Sequence, residues 1–214
     1  MWNTNGSYCA PNKENVYYEY MPELFKRSDA SRTDIMVEYL SKSGLKVFNP
    51  KSTLLSNKNL CDLYYKYDTH WNLIGARVAT DAMLRSFGWV SSNKGFLIQE
   101  KGLAYHYGAE DDLAHMAGVN SYCVEREVFW EGIHVIDWEK YEYEQENGRV
   151  SVFRNGDAQS KKSIFLTGDS FRSAMIPTLL EYYSTVYVVK QDYFTTNELY
   201  DLNDDSCLFG TSIL

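Results

Sequence analysis

The chain lacks a basic surplus: 21 Lys and Arg stand against 29 Asp and Glu, for a formal charge of −8 and a pI near 5.0. Without a Lys/Arg stripe to neutralise phosphates, nucleic acid is excluded as a partner. A neutral polysaccharide or a small ester needs no attractive field and stays admissible. The chain also lacks any apolar run approaching the roughly 18 residues of a membrane span. Its opening, MWNTNGSYCAPNK, has neither a basic start nor an apolar stretch, so neither a leader nor direct membrane insertion is expected. Cysteine is scarce and scattered. Cys9, Cys61, Cys123 and Cys207 form no CxxC and no Cys/His pairing at zinc-like spacing. They read as free thiols in or near the core, or with one disulfide if the protein is exported. His106, His115 and His134 lack the i, i+4 spacing of a helical metal pair. No metal site and no cofactor is expected. Internal repeats and low-complexity tracts are missing too.

What is present is apolar and aromatic: 44% hydrophobic residues, with 18 Tyr, 10 Phe and 5 Trp. That is enough to offset chain entropy with one core, so a single domain over residues 1–214 is expected. Val16-Tyr17-Tyr18 reads as a strand end, and Tyr20-Met21-Pro22 as a connector. Ile35, Met36, Tyr39 and Leu40 recur at helical spacing, with Gly44 as the stop before a strand at 45–48. Asn72 is a suitable N-cap for a helix whose apolar face runs from Leu73 to Phe87, and Gly88 suits its left-handed end. Residues of about 89–160, rich in Gly, Tyr, Glu and Asp, read as an insertion. Its short strands fall at Ile133-His134-Val135-Ile136 and Val150-Ser151-Val152-Phe153. Ile164-Phe165-Leu166-Thr167 and Thr185-Val186-Tyr187-Val188-Val189 are continuous apolar runs of buried-strand type. Between them a helix begins near Phe171, and Pro177 should kink or restart it. Helices alternating with such strands predict an α/β fold with a mostly parallel sheet.

Two loop-to-helix junctions carry groups capable of chemistry. Gly168-Asp169-Ser170 follows a buried strand and precedes a helix, the place where open α/β sheets bind ligands. It has the placement of a nucleophile elbow without the GxSxG pattern. Helix-start N–H groups near Ser170 are placed to hold an oxyanion. A serine hydroxyl is a weak nucleophile and needs a histidine base with a group to orient it. Asp68-Thr69-His70 supplies both, with one residue between carboxylate and imidazole. Read singly, Gly-Asp-Ser is more often a capped turn and Asp-x-His more often a surface pair.

Asp68-Thr69-His70-Trp71-Asn72 with Gly75-Ala76, followed by Gly168-Asp169-Ser170-Phe171, resembles the SGNH-like proteins related to the alginate O-acetyltransferases. In that branch the Asp-x-His-Trp block precedes the serine block, as here. Ala10-Pro11-Asn12-Lys13 and Asp111-Asp112-Leu113 also look similar, and the resemblance spans roughly residues 10–190. It implies a three-layer α/β/α flavodoxin-like SGNH fold, with the insertion before the nucleophile strand. The implied reaction is acetyl transfer to, or ester hydrolysis on, an exported polysaccharide through an acyl-serine. Ser170 would be nucleophile, His70 general base and Asp68 its orienter. A membrane partner delivering the acyl donor and an extracytoplasmic or cell-envelope setting are implied as well. Members of the family carry an extra strand before the Pro-Asn-Lys segment and another core strand at the end. Here the chain starts almost at Pro11-Asn12-Lys13 and closes on DDSCLFGTSIL, so one or both edge strands are expected to be short or absent.

Several residues have two readings. Trp71 is either a sugar-stacking wall or packing at a helix start. Arg172 either meets a substrate carboxylate or lies on a solvated helix face. Asp169 reads as a turn or cap group rather than the orienting acid. The acidic, tyrosine-interleaved stretch 139–146 is a solvated face or a sugar contact. The alternative for the whole chain is a catalytically silent carbohydrate-binding or assembly module on the same fold.

Overall fold

The structure, a computed structural model, describes residues 5–91, 98–105, 111–130, 139–145, 148–190 and 207–212. Its main sheet has seven strands in the order β2 (Val47–Phe48), β1 (Asn5–Ala10), β9 (Cys207–Ser212), β7 (Ser160–Gly168), β8 (Tyr183–Lys190), β6 (Gly148–Arg154), β5 (Glu139–Gln145). From β2 to β8 every neighbouring pair is parallel, while β6 and β5 add antiparallel at one edge. The expected α/β architecture with a mostly parallel sheet is therefore present. Strands β3 (Ile98–Tyr105) and β4 (Val124–Trp130) form a separate two-stranded antiparallel sheet. The stretch read as one insertion is thus divided. Its second half extends the main sheet, and its Ile133–Ile136 run lies outside the described residues.

The expectation of short or missing end strands is overturned. β1 and β9 pair with each other from Asn5↔Cys207 to Ala10↔Ser212, and they lie inside the sheet rather than at its edge. Neither is a continuous apolar run, NGSYCA and CLFGTS, so periodicity does not reveal them. Residues 16–20 correct a second expectation. They complete helix α1 (Lys13–Val16) and a 3-10 turn at Tyr18–Tyr20, not a strand end.

Local signals set the other helices. Helix α2 (Arg32–Lys42) opens on a capping box in which Ser31 and Asp34 bond each other's backbone N–H, and Gly44 follows at φ 83°. Helix α3 (Lys51–Asn57) follows Pro50 in a segment with no clear apolar period. Helix α4 (Leu73–Ser86) starts where the Asn72 side chain accepts the Gly75 N–H at 2.9 Å, and Gly88 follows at φ 72°. Gly75 permits a close crossing: a Cβ there would sit 2.0 Å from the Leu63 carbonyl oxygen. Helix α5 (Asp112–Met116) precedes β4. A 3-10 segment, Ser170–Met175, gives way to α6 (Ile176–Tyr182). Pro177 sits in the first turn of α6, where its missing N–H is not needed.

Helix α4 is buried on nearly all sides, and its charged residues are held in a network. The Arg77 guanidinium, 1% exposed, donates from Nε to Asp81 Oδ2 at 2.9 Å and from Nη1 to Glu181 Oε1 at 2.5 Å. Trp130 Nε1–H donates to the same Glu181 oxygen at 2.8 Å, and Tyr182 Oη–H donates to Asp81 Oδ1 at 2.9 Å. The network ties α4 to β4 and α6. Burial raises the Asp81 pKa despite the neighbouring guanidinium. Removing one partner of a buried ion pair leaves an uncompensated charge, at a cost of about 3–5 kcal/mol. Arg77→Leu is therefore expected to lower the unfolding free energy by that order, read as a lower urea midpoint at an unchanged slope in an equilibrium melt of variant and wild type.

Candidate active site

Strands β1 and β7 run parallel on either side of β9, so their carboxyl ends open on the same edge of the sheet. Lys13 lies just past the end of β1 and Ser170 just past the end of β7. The loop carrying Asp68 and His70 leads into α4, which packs on the 3-10 segment that begins at Ser170. Two junctions separated by 100 residues are brought together here.

Asp68 and His70 form a closed local turn. Asp68 Oδ1 accepts the His70 backbone N–H at 2.8 Å and bonds the ring Nδ1 at 2.6 Å. The one-residue spacing makes both contacts possible from a single oxygen. His70 Nε2 in turn lies 2.6 Å from Ser170 Oγ. An ionised carboxylate only accepts, so the imidazole carries its proton on Nδ1, and Nε2 is left to accept the Ser170 hydroxyl. Asp68 is 5% exposed and His70 29% exposed in their side chains, while Ser170 is open to solvent. Burial pushes the Asp68 pKa up, but the bonds from the His70 ring and backbone outweigh it and hold the carboxyl below its usual range. The bond to Asp68 raises the His70 pKa against the opposing effect of its own burial.

The Ser170 turn is also capped. Asp169 Oδ1 accepts the Phe171 N–H at 3.0 Å and the Asp169 carbonyl accepts the Arg172 N–H at 3.2 Å. Asp169 is thus the cap group of its turn. The amides of Phe171 and Arg172 point back to it, which narrows the oxyanion donors expected near Ser170 to ones Asp169 does not engage. Arg172 folds back on its own turn, its Nη1 donating to the carbonyls of Gly168 and Asp169. Trp71 is 1% exposed, its Nε1–H donates to the Phe171 carbonyl at 2.9 Å, and its ring meets Phe171 edge-on at 5.2 Å. With so little of its ring exposed, Trp71 packs the two junctions together where it borders the cleft beside Ser170. The cleft beside Ser170, about 480 Å³, is bordered among others by Tyr65, His70, Trp71, Leu73, Phe171 and Ser173.

The structure adds residues to which sequence reasoning gave no role. Thr69 donates its backbone N–H to Asp112 Oδ1 at 2.8 Å and its hydroxyl to Asp112 Oδ2. The Asp112 N–H reaches Asp68 Oδ2 at 3.3 Å. Lys13 donates to three carbonyls of the same loop. Both residues fall in segments singled out above only by resemblance, Pro11-Asn12-Lys13 and Asp111-Asp112-Leu113. Among the described residues, Asp68, His70 and Asp112 are a group with metal-ligand chemistry, their ligand atoms within 4.8 Å of one another. Their oxygens already receive N–H and O–H donors, a set that fits hydrogen bonding around the imidazole. His115 pairs with Asn120 at 3.3 Å, while His106 and His134 lie outside the described residues. The thiols of Cys9 and Cys123 are buried. The backbone of 139–145 is strand β5; the sugar-contact reading of its side chains lies outside what is described. No helix among the described residues is long and apolar enough to cross a membrane.

No curated protein matches the sequence. Solved structures do. A DHHW family protein from Eubacterium siraeum is 14% identical with a TM-score of 0.73, over 99% of this chain and 78% of that one. PatB1 from Bacillus cereus, solved with a sulfonyl adduct, is 16% identical with a TM-score of 0.68, over 98% and 80%. The O-acetyltransferase domain of Pseudomonas putida AlgJ is 14% identical with a TM-score of 0.55, over 98% and 74%. At such identities the likeness establishes a shared fold, the SGNH hydrolase-like α/β architecture. Residues 8–176 match the family model of the SGNH hydrolase-like domain, acetyltransferase AlgX, and with that match over most of its length the chain belongs to this family.

Proposed function

We propose that this chain transfers an acyl group, acetyl in the first instance, through a Ser170 ester, with an exported polysaccharide as the acceptor or the ester substrate. The observation that carries the reading is the unbroken series from Asp68 through His70 to Ser170, each step 2.6 Å. Ser170 Oγ attacks the acyl carbon as His70 Nε2 takes its proton, and Asp68 stabilises the imidazolium without being protonated itself. The oxyanion is held by the Ser170 amide at the start of the 3-10 segment. The imidazolium returns the proton to the departing alcohol and leaves an acyl-serine. A sugar hydroxyl or water then gives its proton to His70 as it attacks the ester, and the serine is regenerated. Transfer and hydrolysis share these residues and differ only in the second nucleophile. Hydrogen-bond reach between serine and histidine supports an enzyme over a silent binding module. Membership in a family named for an acetyltransferase, and likeness to an O-acetyltransferase domain, support acetyl as the group, and polysaccharide as the substrate class follows from the resemblance of the Asp68–Asn72 and Gly168–Phe171 blocks to the alginate O-acetyltransferases. An envelope setting and a membrane partner supplying the donor belong to the same proposal.

Sulfonyl and fluorophosphonate reagents are suitable probes, since PatB1 carries a sulfonyl adduct. Wild type is expected to label once and Ser170→Ala not at all, read by intact mass. Acetyl release from an ester, with and without an oligosaccharide acceptor, separates transferase from esterase. A wild type that never labels where a related esterase does sinks the assignment.

The pH dependence has a definite sign. Only neutral His70 accepts the serine proton, and the bond to Asp68 raises its pKa above the ordinary value of 6.5. Labelling is therefore expected to fall as pH drops through an inflection above 6.5. Asp68→Asn should slow it by about 10³–10⁴-fold and move the inflection downward, because the amide neither holds the tautomer nor stabilises the imidazolium. An inflection that stays put in Asp68→Asn argues against this coupling.

A further inference from the structure

Lys13 stands where local preference does not put a cation. It is the first residue of α1, at the end of a helix that favours acids. Its side chain leaves that helix for the loop before α4. The ammonium donates to the carbonyls of Tyr65 at 2.6 Å, Lys66 at 2.7 Å and Asp68 at 3.1 Å, which uses all three of its N–H groups. Other bonds meet the loop from outside, the Lys66 N–H donating to Glu125 Oε2 at 2.6 Å and Thr69 donating to Asp112, but none of them gathers the carbonyls of Tyr65, Lys66 and Asp68 on one group. The Tyr65 N–H donates to the His70 carbonyl at 3.2 Å, and the Ala114 N–H donates to Tyr67 at 3.1 Å. The strand end that carries Lys13 is itself fixed, because Tyr64 Oη–H donates to the Pro11 carbonyl at 2.6 Å. The charged groups facing the ammonium are Asp62 and Asp68 of the loop, Asp112 of α5 and Glu125 of β4. Those facing His70 are Asp68, Asp112 and Asp169. The cation thus lies among carboxylates that would otherwise repel one another.

We propose that Lys13 is a positioning residue for the Ser170 reaction: its ammonium holds the Tyr65, Lys66 and Asp68 carbonyls in the one curl that keeps the His70 imidazole between Asp68 and Ser170. It does not touch the reacting atoms. The proposal rests on the reading of Ser170 as nucleophile, so its test reads His70 directly and does not require turnover.

The imidazole protons of the 214-residue chain are titrated by NMR in wild type, Lys13→Met and Lys13→Arg, with the His70 signal assigned by its loss in His70→Gln. Fluorophosphonate labelling is measured on the same samples. Methionine keeps length without donors. Released, the loop relaxes, the His70–Asp68 bond loosens, and the His70 titration is expected to fall toward the ordinary histidine value of about 6.5. Labelling of the folded fraction is expected to slow by about 10- to 100-fold, the scale of a small misplacement of a catalytic group. Loss of a nearby cation from an unmoved loop does the opposite, raising the titration because the imidazolium meets less repulsion. A rise, an unchanged titration, or unchanged labelling of folded protein overturns the proposal. If Lys13→Met does not fold, Lys13→Arg carries the test. It keeps the charge but spreads its donors over a planar fork, and the same downward shift is expected. Failure of the acylation reading shows separately, as wild type that does not label while its His70 titration remains measurable.

Discussion

A carboxylate that is almost removed from water must have its oxygens satisfied, and the arrangement around Asp68 follows from that requirement. An ionised group in such a place is stable only when hydrogen-bonded or paired. Asp68 meets it with the His70 ring and backbone N–H on one oxygen and the Asp112 N–H on the other. The first two donors come from the next residue but one, so satisfying the charge fixes the imidazole. The third comes from α5, so the same charge binds a distant element to the loop. The site's geometry is thus largely a by-product of solvating one buried acid with protein.

The two junctions that carry His70 and Ser170 are joined a second time, one residue further along. Trp71 donates to the Phe171 carbonyl, and its ring packs on the Phe171 ring. His70 also lies against Phe171, with ring centroids 4.8 Å apart. A hydrogen bond between a half-buried imidazole and a solvent-exposed hydroxyl is weak on its own, whereas one flanked by a buried indole contact is held at low entropy cost. Aromatic packing supplies the rigidity, and the polar series supplies the direction. Gly75 lets α4 approach the Leu63 carbonyl closely, so the helix that follows His70 starts tight against the loop.

The legible parts were those with local causes. The Asn72 cap, the α2 stop at Gly44, the buried run of β7 and the restart at Pro177 each depend on neighbours within a few residues, and each stands where the periodicity and cap rules place it. The illegible parts had partners far away. β1 and β9 are weak strands by composition, made stable by pairing between Asn5–Ala10 and Cys207–Ser212. β5 and β6 looked like insertion because alternating polar residues suit a sheet edge as well as a loop. Trp71 read as packing more than as a wall, and the sequence could go no further, since a tryptophan's burial is decided by what packs over it.

By itself the sequence determined that a Gly-Asp-Ser turn follows a buried strand and that an Asp-x-His turn precedes a capped helix, because strand burial, turn chemistry and capping are short-range. It also determined, through motif order, which family the pair resembles. Only the tertiary structure decided that the two turns meet at one sheet edge, that Asp112 and Lys13 close around the histidine loop, and that Arg172 turns back on its own carbonyls. The physical reason is range. A cap or a periodic face is settled by residues a turn apart, whereas the contact of His70 with Ser170 spans 100 residues and exists only once parallel strands have aligned their carboxyl ends.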